Sequence, residues 1–220
     1  MHGSKLDRDT LKQEAVNKAY AGWAPIYDVV FGKVFDTGRK ASIKAAEQVG
    51  GRILDVGIGT GISLEDFSRK NRIVGVDISE PMLRRAHQRV IEQNLTHVEG
   101  LAVMDAEKLG FPDKSFDVVV AQYVITAVPN PDATLDEFVR VTKPGGEIIL
   151  VNHIGAEAGP RLMFERCFAP LARQLGWRPE FPWLRIQRWL DRRSDVRLIE
   201  RRTMPTFLHF SLIRLSRSAA

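Results

Sequence analysis

At 220 residues, with 44% hydrophobic and 27% charged side chains, the chain fits one well-cored α/β domain with at most a small appended element. The single Cys167 excludes an internal disulfide and fits a reducing compartment. No leader-like stretch argues for secretion and no apolar run is long enough to cross a bilayer, so any membrane contact is made from the side. The net charge of +5 points to an anionic partner: nucleic acid, a phosphorylated substrate or an anionic lipid surface.

Residues Ser4 to Trp23 read as an amphipathic helix with Ser4 as N-cap. Leu11, Ala15, Ala19 and Tyr20 share one face, Lys5, Arg8 and Lys12 another. Such a helix can lie on a membrane surface or pack as a lid, and the pattern admits both. Pro25 ends it, a second helix is expected from Gly38 to Val49, and Gly50-Gly51 closes that one.

Ile53-Leu54-Asp55-Val56-Gly57-Ile58-Gly59-Thr60-Gly61 follows, a short apolar strand running into three glycines spaced two apart. Glycine lets the chain turn sharply and lets a ligand approach without a Cβ in the way. Ser63 to Lys70 is expected to be a helix whose free N–H groups face that ligand. The next strand, Arg72 to Val76, ends at Asp77, placed to catch a ribose hydroxyl pair. A pyrophosphate cofactor favours Gly-x-Gly-x-x-Gly. Asp-x-Gly-x-Gly-x-Gly suits S-adenosylmethionine (SAM), which has an amino acid end, a ribose and no phosphate.

Ser79 and Pro81 open a long helix to about Gln93. Met82 in its first turn fits an adenine cover and a core methionine equally well. The third strand, Val98 to Met104, delivers Asp105 and Ala106, and Asp105 could accept from an adenine amino group. Phe116 to Ala121 is a central strand ending at Gln122-Tyr123; a helix from Ala133 to Thr142 and a glycine turn lead to the fifth strand, Glu147 to Asn152, followed by His153. Between residues 155 and 194 two amphipathic pieces, Arg161 to Trp177 and Pro182 to Arg193, interleave arginine with tryptophan. That composition suits a lipid-facing surface, the reading favoured here, or a helical cap near the substrate site packed on the core. Val196 to Thr203 and Phe207 to Leu215 close the chain as a hairpin at the sheet edge. Metal-ligand spacing, a hydrolase elbow, a phosphate loop and any nucleic-acid module are all missing, so neither a metal nor nucleic acid is expected.

With these pieces placed, residues 50 to 155 resemble a class I SAM-dependent methyltransferase. The flanks add a narrower likeness. Tyr20-Ala21-Gly22-Trp23-Ala24-Pro25-Ile26-Tyr27-Asp28, Phe31-Gly32, Gly38-Arg39, Asp77-Ile78-Ser79-Glu80-Pro81-Met82-Leu83 and Val151-Asn152-His153 resemble bacterial phosphatidylethanolamine N-methyltransferases of the soluble, peripheral type. The resemblance implies a Rossmann-like seven-stranded, mostly parallel sheet with helices on both faces, the last strand antiparallel, and a membrane-binding helix over residues 1 to 23. It places SAM on Asp55, Gly57, Gly59, Gly61, Asp77, Ile78, Met82, Asp105, Ala106 and Gln122, with Tyr27 closing over it. It implies a phospholipid substrate methylated toward phosphatidylcholine on an anionic surface, the inner face of the cell membrane, by a cytoplasmic protein.

For that chemistry Tyr20, Trp23, Tyr27 and Tyr123 are candidates to hold the methylated headgroup by cation–π attraction, and Tyr27, Tyr123 and His153 to take part in catalysis. His153 would bind the lipid phosphate or take the amine proton. For Trp23 ordinary packing is the stronger reading. A quinone-precursor C-methyltransferase, a non-catalytic SAM- or membrane-binding module and an NAD dehydrogenase are the competing functions.

Overall fold

The structure, a computed structural model, describes residues 35–155, 181–204 and 210–219. The N-terminal helix, Tyr20, Trp23, Tyr27 and the piece Arg161 to Trp177 lie outside these residues. Seven strands are present: β1 Arg52–Val56, β2 Arg72–Asp77, β3 Val98–Val103, β4 Phe116–Gln122, β5 Thr142–His153, β6 Val196–Thr203 and β7 Phe210–Arg217. They form one sheet in the order β3-β2-β1-β4-β5-β7-β6, with β1 to β5 parallel and β7 antiparallel to both β5 and β6.

Side-chain alternation divides the core into two layers. Ile53, Val118, Ile149 and Leu212 face helix α1 (35–49) and helix α2 (Glu80–Glu92). Leu54, Val119, Ile148 and Ile213 face helix α3 (Pro131–Val141) and helix α4 (Trp183–Asp191). Covered on both sides, the middle strands are apolar in both registers, hence their unbroken hydrophobic runs. Pro81 sits in the opening turn of α2, and Asn130 caps α3 by accepting from the Ala133 amide.

Two expectations are corrected. The helix expected from Ser63 to Lys70 is a 3-10 turn, Ile62–Asp66. Phe67 leaves helical geometry (φ −74, ψ 136) and buries its ring in the core, which returns the chain to β2 within a few residues. The second correction concerns Pro182 to Arg193, read as lipid-facing. Trp183, Ile186 and Trp189 are buried in the α3 layer, and Trp189 Nε1 donates to Asp136 at 2.9 Å. Arg185 and Arg192 pair with Asp132, Arg193 with Asp136 and Asp195, and Arg201 lies 4.3 Å over the Trp183 ring. The arginines answer the acids of α3, and the tryptophans fill the core. Amphipathicity showed that α4 has two faces; only the partner on α3 decides what each one meets.

Candidate active site

The site is built where β1, β2, β4 and β5 end. Asp55 pairs in register with Gly75 and Val120, and Gln122 with Val151. Period-two alternation then sends Asp55, Asp77, Gln122 and His153 to one face, the side covered by α1 and α2. Four side chains chosen from separate strands thus converge at one edge, where open α/β sheets bind ligands.

Gly57, Gly59 and Gly61 all have positive φ, 71, 55 and 74. Their surroundings differ. A Cβ on Gly57 would stand 2.3 Å from Val124 Cγ2, and one on Gly61 2.9 Å from Ala86 Cβ, so these two let the loop press against its neighbours. A Cβ on Gly59 would meet nothing within 4 Å: that glycine faces open space. Asp77 pins the bend, accepting from the Gly59 amide on one oxygen and the Ser79 amide on the other, both at 2.8 Å.

Asp55 is fully buried, and its carboxylate accepts from Ser63 Oγ at 2.7 Å. Burial pushes its carboxyl up to about 7; the Ser63 bond opposes this and the charge of Asp77 adds to it. Burial raises Asp77 as well, against three backbone hydrogen bonds. Among the described residues neither acid is ion-paired. Two such carboxylates favour a ligand carrying positive charge. The folded carboxyl of Asp55 holds its proton between pH 3.8 and about 7, where the unfolded one has lost it. Its stabilising contribution is therefore complete below the lower value and lost as pH rises through the upper one. Denaturant titrations from about pH 5 to about pH 8 should show the unliganded wild type losing stability relative to Asp55→Asn; parallel curves would refute the assignment.

The remaining predicted positions fall around this centre. Ile78 is exposed, as is Val103, which pairs with Asp77, so an apolar shelf lies beside the acid. Met82 is buried one turn before Ala86, the residue Gly61 would touch. Asp105 is exposed after β3 and accepts from the Glu107 amide at 2.9 Å; Ala106 packs against the core of the α3 layer. The Gln122 side-chain Nε2 is buried and has no hydrogen-bond partner. Tyr123 is a non-glycine residue at φ 64, its Oη donating to the Phe35 carbonyl at 2.9 Å and its ring 4.3 Å from Phe35 and 4.9 Å from Phe210. Burial raises its phenol above the ordinary value. His153 is half-buried opposite Phe210.

Sequence reasoning missed Ser63, the hydroxyl on Asp55, because only the 3-10 turn brings it back to β1. Asn152 escaped assignment too. It is fully buried, with Oδ1 accepting from Thr126 at 3.4 Å and Nδ2 unpartnered; the available signal was a lone polar residue at the tail of an apolar run. Among the described residues no cluster of His, Cys, Asp or Glu could hold a metal, and no helix is long and apolar enough to cross a membrane.

The residues fit SAM on three counts: unpaired buried acids for a cationic ligand, the unpartnered Gln122 amide, and open space at Gly59. Comparison with known proteins agrees. Residues 54–150 match the methyltransferase domain family. The chain is 38% identical over 207 residues to the phosphatidylethanolamine N-methyltransferase of Cereibacter sphaeroides, covering 94% of this chain and 100% of that one. Identity to the demethylmenaquinone methyltransferase of Listeria monocytogenes is 34% over 150 residues, 64% of this chain and 63% of the other. The crystal structure of the cyclase SpnF superposes with a TM-score of 0.78 at 19% identity, covering 93% of this chain and 96% of that one, a likeness of fold. The chain therefore belongs to the SAM-dependent methyltransferases, in the family that includes the Cereibacter phosphatidylethanolamine enzyme, and SAM is its cofactor.

Proposed function

We propose that the protein methylates the amine of phosphatidylethanolamine, and of its mono- and dimethyl derivatives, toward phosphatidylcholine at an anionic membrane surface. The observation that carries this reading is the match to a phosphatidylethanolamine N-methyltransferase along its entire length, flanks included. The quinone-precursor relative covers only the shared part of the chain.

SAM supplies an activated methyl on a sulfonium. The chain's part is to hold donor and acceptor in line, exclude water and receive a proton. Asp77 accepts ribose hydroxyls while fixing the glycine bend, Asp55 attracts the cationic amino acid end, and the Gln122 amide donates to an acceptor atom of the cofactor. Asp105 reaches the adenine edge, with Ile78, Met82 and Ala106 beside it. His153 takes the proton of the attacking amine or holds the lipid phosphate. The phenol of Tyr123 already donates to Phe35 and is a poor acid after burial, so its ring serves as a wall for the headgroup. Tyr20, Trp23 and Tyr27 complete that enclosure from the N-terminal segment, which also meets the membrane through its basic face.

Vesicles of phosphatidylethanolamine with an anionic lipid, incubated with methyl-labelled SAM, should yield mono-, di- and trimethylated lipid in succession. Label that enters a demethylated quinone, and no phospholipid, would transfer the function to the quinone-precursor reading. Label in neither acceptor would leave a binding module.

A further inference from the structure

Two segments at the cofactor edge, the 3-10 turn Ile62–Asp66 that follows the glycines and the connection after β4, are linked by more than the sheet. Both are tied to a single helical turn of α1, residues 35–39. On one side Phe35 lends its carbonyl to Tyr123 Oη at 2.9 Å and its ring to the Tyr123 ring at 4.3 Å. On the other side Arg39 Nε donates to Asp66 Oδ2 at 2.8 Å, and Asp66 ends the 3-10 turn that follows the glycines. Asp36 orients the same guanidinium. Between these two ties lies Gly38. A Cβ there would stand 2.2 Å from Tyr123 Oη and 2.8 Å from Val151 Cγ1, so the phenol occupies a notch that only glycine leaves open.

Tyr123 also carries a conformational cost. A tyrosine at φ 64 is strained and persists only where its surroundings over-determine it. Here they do: its amide donates to the Val151 carbonyl at 2.6 Å, its hydroxyl to Phe35, and its ring packs in a three-ring cluster with Phe35 and Phe210. The left-handed residue directly follows Gln122, and so fixes where β4 stops and where the unpartnered Gln122 amide is presented. Arg39, through Asp66, acts on the turn that brings Ser63 to Asp55.

We propose that the turn 35–39 is a clamp on the cofactor site: Gly38 and Tyr123 position Gln122, while Arg39 positions the Ser63–Asp55 pair. The inference rests on the cofactor and is independent of which acceptor is methylated. Gly38 and Arg39 are positioning residues, acting through groups that meet the ligand.

The test is calorimetric binding of SAM and of its demethylated product, S-adenosylhomocysteine, to the full chain, with Tm measured alongside. Gly38→Ala should raise Kd tenfold or more and Tyr123→Phe about threefold. The double variant should bind more tightly than Gly38→Ala alone, because removing the hydroxyl reopens the notch. Arg39→Gln should weaken both ligands about tenfold. A merely structural turn would lower Tm in these variants and leave both Kd values within twofold of wild type; that result overturns the clamp. If Gly38→Ala does not fold, Tyr123→Phe and Arg39→Gln decide the matter: unchanged affinity in both rejects the proposal. Because no lipid enters the assay, failure of the lipid reading cannot be mistaken for failure of the clamp.

Discussion

Asp77→Ala is expected to weaken SAM binding by about two orders of magnitude while leaving the unliganded fold nearly intact. The carboxylate does two things at once. It holds the Gly59 and Ser79 amides at 2.8 Å, and in the proposed pose it accepts from the ribose. Hydrogen bonds to a charged acceptor contribute about 1.5–3 kcal/mol each, so losing the ribose contacts and loosening the bend removes about 3 kcal/mol or more of binding. The same substitution relieves an acid whose ionised form is disfavoured by burial, which offsets the loss of backbone contacts in the empty protein. Calorimetry should therefore show Kd rising roughly a hundredfold with Tm moving only a few degrees. An unchanged Kd would remove Asp77 from the binding site.

Gly57→Ala should have the opposite profile, a loss of stability before any question of affinity. At φ 71 the new methyl costs roughly 1–2 kcal/mol in backbone strain, and at 2.3 Å from Val124 Cγ2 overpacking adds roughly 1–3 kcal/mol. A combined loss of about 2–5 kcal/mol is a large share of the stability of a domain this size. Adding Val124→Ala removes the clashing carbon and should recover the packing part but not the strain. Gly59→Ala is the informative control, since its Cβ would meet open space and only strain remains. Equal losses at the two glycines would show that the close approach of Val124 has no energetic weight.

Much of the frame was legible because both faces of the sheet are covered. Ile53-Leu54 and Val118-Val119-Val120 are apolar in both registers, and each run ends in a polar residue that turned out to lie at one edge. Asp77 was legible for the same reason, being the first acid after a buried strand. Ser63 was not, since its meeting with Asp55 depends on a 3-10 turn that local pattern cannot separate from a helix start. Nor was the burial of Trp183 and Trp189: their hydrophobicity was plain, but the acids Asp132 and Asp136 that receive the accompanying arginines lie some fifty residues earlier. Strand ends drifted as well. The expected glycine turn, with Gly145 at φ 79, falls inside β5 as an irregularity: the strand starts at Thr142, which pairs with Phe116, and the register shifts before Val118 meets Glu147.

The placement of β7 between β5 and β6 has a consequence for how the molecule is made. β6 leaves the ribosome first, yet among the described residues its only ladder is with β7, so it must wait as an unpaired, isoleucine-bearing segment until the later strand inserts beside β5. Sheet completion is therefore a late, long-range event in biogenesis. Released chains truncated just before Phe210, which leave β6 without its ladder and the β5 edge open, should be the species that chaperones hold.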